Sequence, residues 1–239
     1  MAEHTVASFD EDLRQISRLI NDMGDLASSM VGSSTRALLE SDNALAQRVV
    51  SDDAIMDARQ RELDDRAITL IAKRQPMADD LREIIGAIRI SSDLERVGDL
   101  GKNIAKRVVS VSEARHPLSL FRGLQVLTEL ALTQLKDVLD AYASRSVERL
   151  ASVRDRDDQI DAMYTSLFRE FLTYMMEDPR NISPCTHLLF CAKNIERIGD
   201  HATNIAETVY YVATGEQMPP DRPKEDKSHR IGLHGEAPL

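Results

Sequence analysis

The sequence has few of the residues that mark disulfide-rich or β-rich proteins. It contains no tryptophan and only 4% aromatic residues, although aromatic and β-branched side chains are the ones that favour strands. Its two cysteines, Cys185 and Cys191, lie in one apolar segment, whereas a secreted disulfide scaffold is small and cysteine-dense. We therefore expect core thiols in a reducing cytoplasm and an all-α fold, because alanine, leucine and charged residues dominate.

Charge and hydropathy exclude two further classes of protein. The formal net charge is −10, and no block of lysine and arginine is interleaved with aromatic residues, so we do not expect nucleic-acid binding. No apolar run approaches the ~20 residues that a membrane-spanning helix needs. The acidic start, MAEHTVASFDEDL, also lacks the basic and apolar regions of a signal peptide. These features predict a cytoplasmic protein that reaches membranes only through its partners.

The spacing of the prolines predicts six long helices in two groups of three, because proline interrupts helices and the stretches between are free of it. The predicted helices cover about 8–41, 44–74, 77–112, then from after Pro117 to about 143, 146–176 and 183–213. At 1.5 Å per residue each is about 45 Å long, which suits elongated bundles. We predict two tandem three-helix bundles, at 1–115 and 116–214, followed by a disordered polar tail at 215–239.

A segment of the form Glu-Arg-apolar-Gly-Asp occurs twice, once in each predicted bundle. It lies within DLERVGDLGKNIAKR (93–107) and again within NIERIGDHATNIAE (194–207). Carboxylates four residues apart share one face of a helix, where their repulsion costs a few tenths of a kcal/mol. The glycines of the motif, Gly98 and Gly199, cost roughly 1 kcal/mol of helix propensity each. We expect close helix packing at the glycines to offset that cost.

Antiparallel hairpins would bring a second pair of carboxylates against each copy of the motif. If the second and third helices fold back about Pro76, and the fifth and sixth about Pro179, residues equidistant from each turn face one another. Four carboxylates then converge in each half. The first cluster is Asp53, Asp57, Glu95 and Asp99, and the second cluster is Asp157, Asp161, Glu196 and Asp200.

Uncompensated clusters of this kind repel themselves and raise some of their own pKa values. Bound cations would neutralise this repulsion directly. Oxygen ligands on facing helices suit iron, manganese, magnesium or calcium, with zinc a further candidate. The Glu-x-x-His motif of the di-iron helical bundles is absent. We therefore predict metal binding at both clusters by divalent or trivalent ions.

The alternative interpretation is that these are ordinary surface acids, since Arg96 and Arg197 lie close enough for ion pairs. Two departures from the repeat also matter. His201 has no counterpart in the first copy, and we predict a lone, solvated histidine. Lys102 stands where the second copy has Thr203, which predicts unequal metal occupancy.

The chain resembles the PhoU family of phosphate-transport regulators. The similarity runs from about residue 8 to 214 and is strongest in IAKRQPMADDLR, SDLERVGDLGKNIAKR, TYMMEDPRNI and FCAKNIERIGDHATNIAE. The resemblance implies two tandem three-helix bundles related by a pseudo-two-fold axis, metal bound on the surface through the acidic motifs, and homodimers. The implied ligands are Glu95, Asp99, Glu196 and Asp200, faced by Asp53, Asp57, Asp157 and Asp161.

The function that this resemblance implies is regulatory and not catalytic. Members restrain the phosphate-starvation response when phosphate is plentiful, as adapters between the ATPase of the phosphate importer and a sensor histidine kinase in the membrane. Two rival interpretations remain open. A carboxylate-bridged metal enzyme, such as a phosphatase or oxidase, would need an open coordination site in a water-excluding pocket. A metal-free helical scaffold would fold and bind partners in the presence of a chelator.

Overall fold

The computed structural model describes residues 2–112 and 118–219, and no strand occurs among them. Six long helices account for most of these residues: α1 (Ala2–Glu40), α2 (Asn43–Arg74), α3 (Asp79–Ala105), α5 (Leu118–Ser144), α6 (Ala151–Glu177) and α7 (Ile182–Thr214). A five-residue helix, α4 (Val108–Ser112), and two 3₁₀ turns, Val147–Leu150 and Pro179–Asn181, complete the order. The all-α prediction and the number of long helices are therefore confirmed.

The first and third helices have boundaries that differ from the predicted ones. The first helix begins at Ala2 and not near residue 8. The third helix was predicted to continue to 112, but it ends at Ala105 and α4 starts at Val108. At the break, the N–H of Arg107 donates to the carbonyl of Ile104, three residues back. This tighter hydrogen bond ends the α-helical turn, and no proline or glycine signals it in the sequence.

The turns between the long helices carry local capping interactions. The carboxylate of Asp42 accepts a hydrogen bond of 2.9 Å from the N–H of Leu45 and caps the start of α2. The hairpin between α2 and α3 opens with Gln75 in the left-handed conformation. Asp178 accepts a bond of 2.9 Å from the N–H of Arg180 where the α6–α7 hairpin turns at Pro179. Both hairpins therefore turn at the predicted prolines.

The helices form two bundles that lie against each other. Helices α1, α2 and α3 pack together, as do α5, α6 and α7, and the halves join through α3 against α7 and α1 against α5. Equivalent helices of the two halves therefore meet, as the predicted pseudo-two-fold repeat requires. Cys185 and Cys191 are buried and free, which confirms them as core thiols. Burial raises the pKa of the Cys191 thiol to about 12.

The described part of the predicted tail is ordered against the bundle. Gly215, at φ 76°, ends α7 in the left-handed conformation that favours glycine. Met218 packs against the hydrophobic core, and the carbonyl of Pro219 accepts a hydrogen bond from Arg154. Residues 215–219 of the predicted tail thus include contacts with the bundle. The remainder, 220–239, lies outside the described residues, as does the predicted domain boundary at 115.

None of the described helices combines the length and the apolar character that crossing a membrane requires.

Candidate functional site

The first cluster is organised around a lysine. Its ammonium, Lys102 Nζ on α3, lies 2.7 Å from Asp53 Oδ2 on α2 and 2.5 Å from Asp99 Oδ1 on its own helix. The hairpin therefore brings Asp53 against Asp99, as predicted. The three side chains are 18% to 28% exposed, so solvent screens these contacts less than those of a surface ion pair.

The other carboxylates of the first cluster shift the titration of Glu95. Burial is the main cause of a raised pKa for Glu95, and the negative charges of Asp99, Asp57 and Asp53 add to it, while the positive charge of Arg96 opposes it. Burial also disfavours the charged form of Lys102, but its hydrogen bonds to Asp53 and Asp99 raise the pKa of the ammonium overall. The carboxylates thus form one electrostatic group, as the hairpin geometry predicts.

Arg96 makes the surface ion pairs that the alternative interpretation expects. Its guanidinium lies 3.5 Å from Glu95 and 3.6 Å from Asp99, with 60% of the side chain exposed. Exposed pairs at these distances contribute about 0 to 1 kcal/mol. Arg96 therefore compensates the first cluster weakly, whereas Lys102 does so at hydrogen-bond distance.

The second cluster holds two almost completely buried carboxylates. Asp161 on α6 is 4% exposed, and Glu196 on α7 is 5% exposed. The ammonium of Lys193 lies 2.7 Å from Glu196 Oε1 and 5.0 Å from the centroid of the Tyr164 ring. Because 40% of the Lys193 side chain is exposed, its charge lies at the rim of the cluster. Asp200, one helical turn after Glu196, is partly buried.

Gln134, on α5, contacts the second cluster through Thr203. Thr203 donates a hydrogen bond of 3.1 Å to Asp157 Oδ1, and its hydroxyl accepts one of 2.9 Å from Gln134 Nε2. Gln134 is completely buried, and its Oε1 has no hydrogen-bond partner among the described residues. Gln134 was not among the predicted site residues, because one glutamine in an otherwise amphipathic helix gives no signal of its own.

The motif glycines lie close to side chains of neighbouring helices. A Cβ added to Gly199 would lie 3.0 Å from Ile160 Cδ1 and 3.4 Å from Gln134 Oε1. A Cβ on Gly98 would lie 3.3 Å from two carbon atoms of Met56. All of these distances are at or below ordinary van der Waals contact, which confirms the predicted close packing at the level of the carboxylates.

Both halves of the chain match one protein family. The family model described as "PhoU domain" matches residues 20–108 and again residues 124–209. The chain belongs to the PhoU family. The "Phosphate-specific transport system accessory protein PhoU homolog" of Rhizobium meliloti is 65% identical over 96% of this chain and 97% of its own length. The protein of the same description from Caulobacter vibrioides is 48% identical over 95% of this chain and 98% of its own.

Solved PhoU structures share the fold. PhoU from Pseudomonas aeruginosa superposes with a TM-score of 0.81 at 34% identity, over 87% of this chain and all of its own. The phosphate transport system regulatory protein PhoU from Streptococcus pneumoniae reaches 0.80 at 28% identity, over 88% and 99%. The two matched segments agree with the tandem arrangement of bundles expected for PhoU.

The exposure and the contacts of His201 differ from those predicted. It was predicted to be lone and solvated, but only 17% of its side chain is exposed, and its Nδ1 lies 2.9 Å from Asp93 Oδ1. Asn204 also donates to Asp93, at 3.4 Å. Asp93 lies two residues before the first motif and His201 directly follows the second, so this pair links the two halves beside the PhoU acidic motifs. The prediction was wrong because the partner comes from the other bundle.

The PhoU resemblance implies a metal ion at the acidic clusters. Over 2–112 and 118–219, no three or more acidic, histidine or cysteine side chains are arranged to hold one metal ion. The second cluster offers carboxylate oxygens with a partly buried hydroxyl and a buried amide nearby, which is the chemistry that hard cations prefer. In the first cluster the ammonium of Lys102 lies between the facing carboxylates. The donor chemistry of the second cluster suits a hard cation, although its side chains are not arranged around one, whereas the ammonium of Lys102 lies within the first cluster.

Proposed function

We propose that this protein is a non-catalytic negative regulator of phosphate uptake and of the phosphate-starvation response. It acts as an adapter between the ATPase subunit of the phosphate importer and a phosphate-sensing histidine kinase. The observation that carries this proposal is the match of both halves to the PhoU domain, together with relatives described as accessory proteins of the phosphate-specific transport system. The accessory role named in the descriptions of these relatives requires no enzymatic reaction.

The shape of the fold supports an adapter. The six long helices contain 27 to 39 residues each and are therefore about 40 to 60 Å long. A stable protein–protein interface needs roughly 800 Å² on each partner. Two bundles packed side by side expose several long helix faces, and neighbouring helices can contribute to one interface. Partners can therefore bind to separate faces of one rigid body.

The second cluster is the part of this surface where we propose a metal ion. Asp157, Asp161, Glu196 and Asp200 would hold iron, manganese or magnesium, with zinc or calcium as alternatives. When bound, the ion supplies positive charge that neutralises the carboxylates. The chain's own residues orient that charge, since Thr203 holds Asp157 and Lys193 holds Glu196. The helix faces that partners contact are thereby fixed.

We also propose that the protein forms a homodimer, on the resemblance to the PhoU family. Light scattering after size-exclusion chromatography tests this proposal.

The regulatory proposal is tested with a reporter in cells. A strain that lacks its own copy of this gene, and carries a phosphate-starvation reporter, is complemented at high phosphate with wild type or with Asp157→Asn/Asp161→Asn. The matched control is Asp155→Asn/Asp158→Asn, which removes two exposed carboxylates from the same helix. We expect repression by wild type and by the control, and loss of repression by the cluster variant.

Each outcome decides a different part of the proposal. Failure of wild type to repress would reject the regulatory function. Equal repression by the cluster variant would remove the second cluster from the mechanism. Co-purification of the importer ATPase and of the kinase with wild type tests the two partners directly. Turnover of a phosphate ester that disappears with Asp200→Ala would favour the metal-enzyme alternative instead.

A further inference from the structure

We propose that Arg107, His187 and Phe190 form a docking point for a protein partner that presents an aspartate or glutamate beside an apolar side chain. We call these three residues the Arg107 patch. The inference rests on the adapter function proposed above, because it assigns one binding surface to that function. The patch lies where the end of α3 meets α7, so both bundles contribute to it. It uses no residue of the two acidic clusters.

Arg107 is a half-buried cation without an acidic partner. Its Nη1 lies 3.2 Å from Nδ1 of His187, and its Nε is buried with no hydrogen-bond partner among the described residues. A histidine nitrogen that accepts this hydrogen bond is uncharged, so His187 supplies no counter-charge. Within residues 2–112 and 118–219, no carboxylate forms an ion pair with Arg107.

Other half-buried arginines of the chain do have acidic partners. Their guanidinium groups lie within 4.0 Å of a carboxylate in each of four cases: Arg59, Arg74, Arg82 and Arg156. An arginine keeps its charge under all physiological conditions, and charges that are withdrawn from water are normally paired. Arg107 departs from that rule, which indicates that an anion from outside the described chain completes its contacts.

The ring of Phe190 adds an apolar part to the patch. Cζ of Arg107 lies 4.4 Å from the centroid of the ring, within the range of a cation–π contact. Phe190 is nevertheless 50% exposed. Arginine and aromatic side chains are enriched among the residues that contribute most to the affinity of protein–protein interfaces. A carboxylate on Arg107, with an apolar side chain against the exposed part of Phe190, would cover both halves of the patch.

A second arginine along the contact between α3 and α7 shows how the chain itself covers such a group. Arg89 lies nearer the start of α3, and its Cζ is 6.0 Å from the ring centroid of Tyr211. Glu207 and Met218 line the same cavity as Arg89. An acidic and an apolar side chain therefore lie around Arg89. The partner proposed for Arg107 supplies the same two kinds of side chain.

The irregular end of α3 coincides with the patch. Arg107 donates its N–H to the carbonyl of Ile104, and its own carbonyl accepts a hydrogen bond of 3.1 Å from the N–H of Val111. Arg107 thus connects α3 to α4 by a tighter turn. Interruptions of this kind within a helix often mark functional or strained positions. The break in α3 therefore lies at the residue that we assign to partner binding.

Binding to purified partners tests the inference. The importer ATPase subunit and the detergent-solubilised kinase are immobilised separately, and Kd is measured for wild type, Arg107→Glu, Phe190→Ala and the control Lys106→Glu. Lys106 is exposed and directly precedes Arg107, so the control reverses the same charge in the same segment. We expect each patch variant to bind at least one partner about tenfold or more weakly than wild type. Lys106→Glu should change Kd by less than about threefold.

Circular dichroism and thermal melting establish that the variants are folded. Phe190 is half-exposed, so Phe190→Ala keeps the test decisive if Arg107→Glu does not fold. Isothermal titration with inorganic phosphate distinguishes a protein partner from a small anion. Saturable phosphate binding that Arg107→Glu abolishes, with partner binding unchanged in both patch variants, would make the patch a small-anion site and overturn the inference.

A photo-crosslinker at position 190 identifies what covers the patch. The photoreactive amino acid p-benzoylphenylalanine replaces Phe190, the complex with each partner is irradiated, and the crosslinked peptides are identified by mass spectrometry. We expect a partner peptide that contains aspartate or glutamate, and replacing that acid with arginine in the partner should restore binding to Arg107→Glu. A peptide without an acidic residue, or a crosslink between two copies of this chain, would overturn the inference.

Failure of the inference and failure of the proposed function give different results. If wild type binds its partners and both patch variants bind them equally well, the Arg107 patch is not the docking point and the adapter function stands. If wild type binds neither the importer ATPase nor the kinase, the adapter function and the inference are both overturned.

Discussion

Replacing either of two glycines in α3 with alanine separates helix propensity from helix packing. Gly98 and Gly101 lie one turn apart on the buried face of the helix, so Gly→Ala should add the same ~1 kcal/mol of propensity at each. Their neighbours differ. A Cβ on Gly98 would lie 3.3 Å from side-chain atoms of Met56, whereas a Cβ on Gly101 would lie 3.3 Å from the backbone of Met30 and Val31 on α1.

The difference in neighbours sets the expected magnitudes. Met56 has a flexible, unbranched side chain and can shift by a few tenths of an ångström. Gly98→Ala should therefore be neutral or raise the free energy of unfolding by up to about 1 kcal/mol. The backbone of α1 can move only as a whole helix, and overpacking of this kind costs about 1 to 3 kcal/mol. After the gain in propensity of ~1 kcal/mol, Gly101→Ala should lower the free energy of unfolding by up to about 2 kcal/mol.

Urea unfolding followed by circular dichroism measures both variants against wild type. For a chain of this size, 1 kcal/mol corresponds to about 2 to 4 °C in melting temperature, so thermal melts give an independent reading. The double variant should show the sum of the single effects unless α1 shifts to accommodate both methyl groups. A Gly101→Ala protein as stable as Gly98→Ala would refute the argument that backbone contact fixes the distance between α1 and α3.

Two further predictions follow from the titrating groups. Because the pKa of Glu95 is raised, its ionised form is disfavoured in the folded protein, and the stability associated with its proton is lost as pH rises through that raised value. In chelator, Glu95→Gln should therefore raise the free energy of unfolding at pH 7 by a few tenths to about 1 kcal/mol. It should also flatten the pH dependence of that free energy just above the ordinary glutamate range. Glu207→Gln, which replaces an exposed glutamate, should show neither effect under the same conditions. Cys191, whose thiol has a pKa of about 12, should resist alkylation at pH 8 in the native protein, while Cys185 and Cys191 should both react in denaturant. Rapid labelling of Cys191 in the native state would contradict its burial.

Much of the fold follows from patterns that are local in the sequence. Proline spacing predicts where Gln75 and Asp178 end their helices, and apolar periodicity predicts which faces are buried. The contact between Asp53 and Asp99 could also be predicted, because reflection about a hairpin turn needs only the position of Pro76. The break after Ala105 could not, since it depends on a hydrogen bond of Arg107 and not on a breaking residue.

By itself, the sequence determined the helices, the hairpins and the two acidic motifs, because each of these depends on residues that are near one another along the chain or around one turn. Only the tertiary structure decided how the clusters are compensated. The His201–Asp93 pair joins residues 108 positions apart, and Gln134 reaches Thr203 across 69 positions from a different helix. These contacts depend on how α3 packs on α7 and how α5 packs beneath it. Helical periodicity specifies which face of a helix is buried, but not which residue of a distant helix will lie against it.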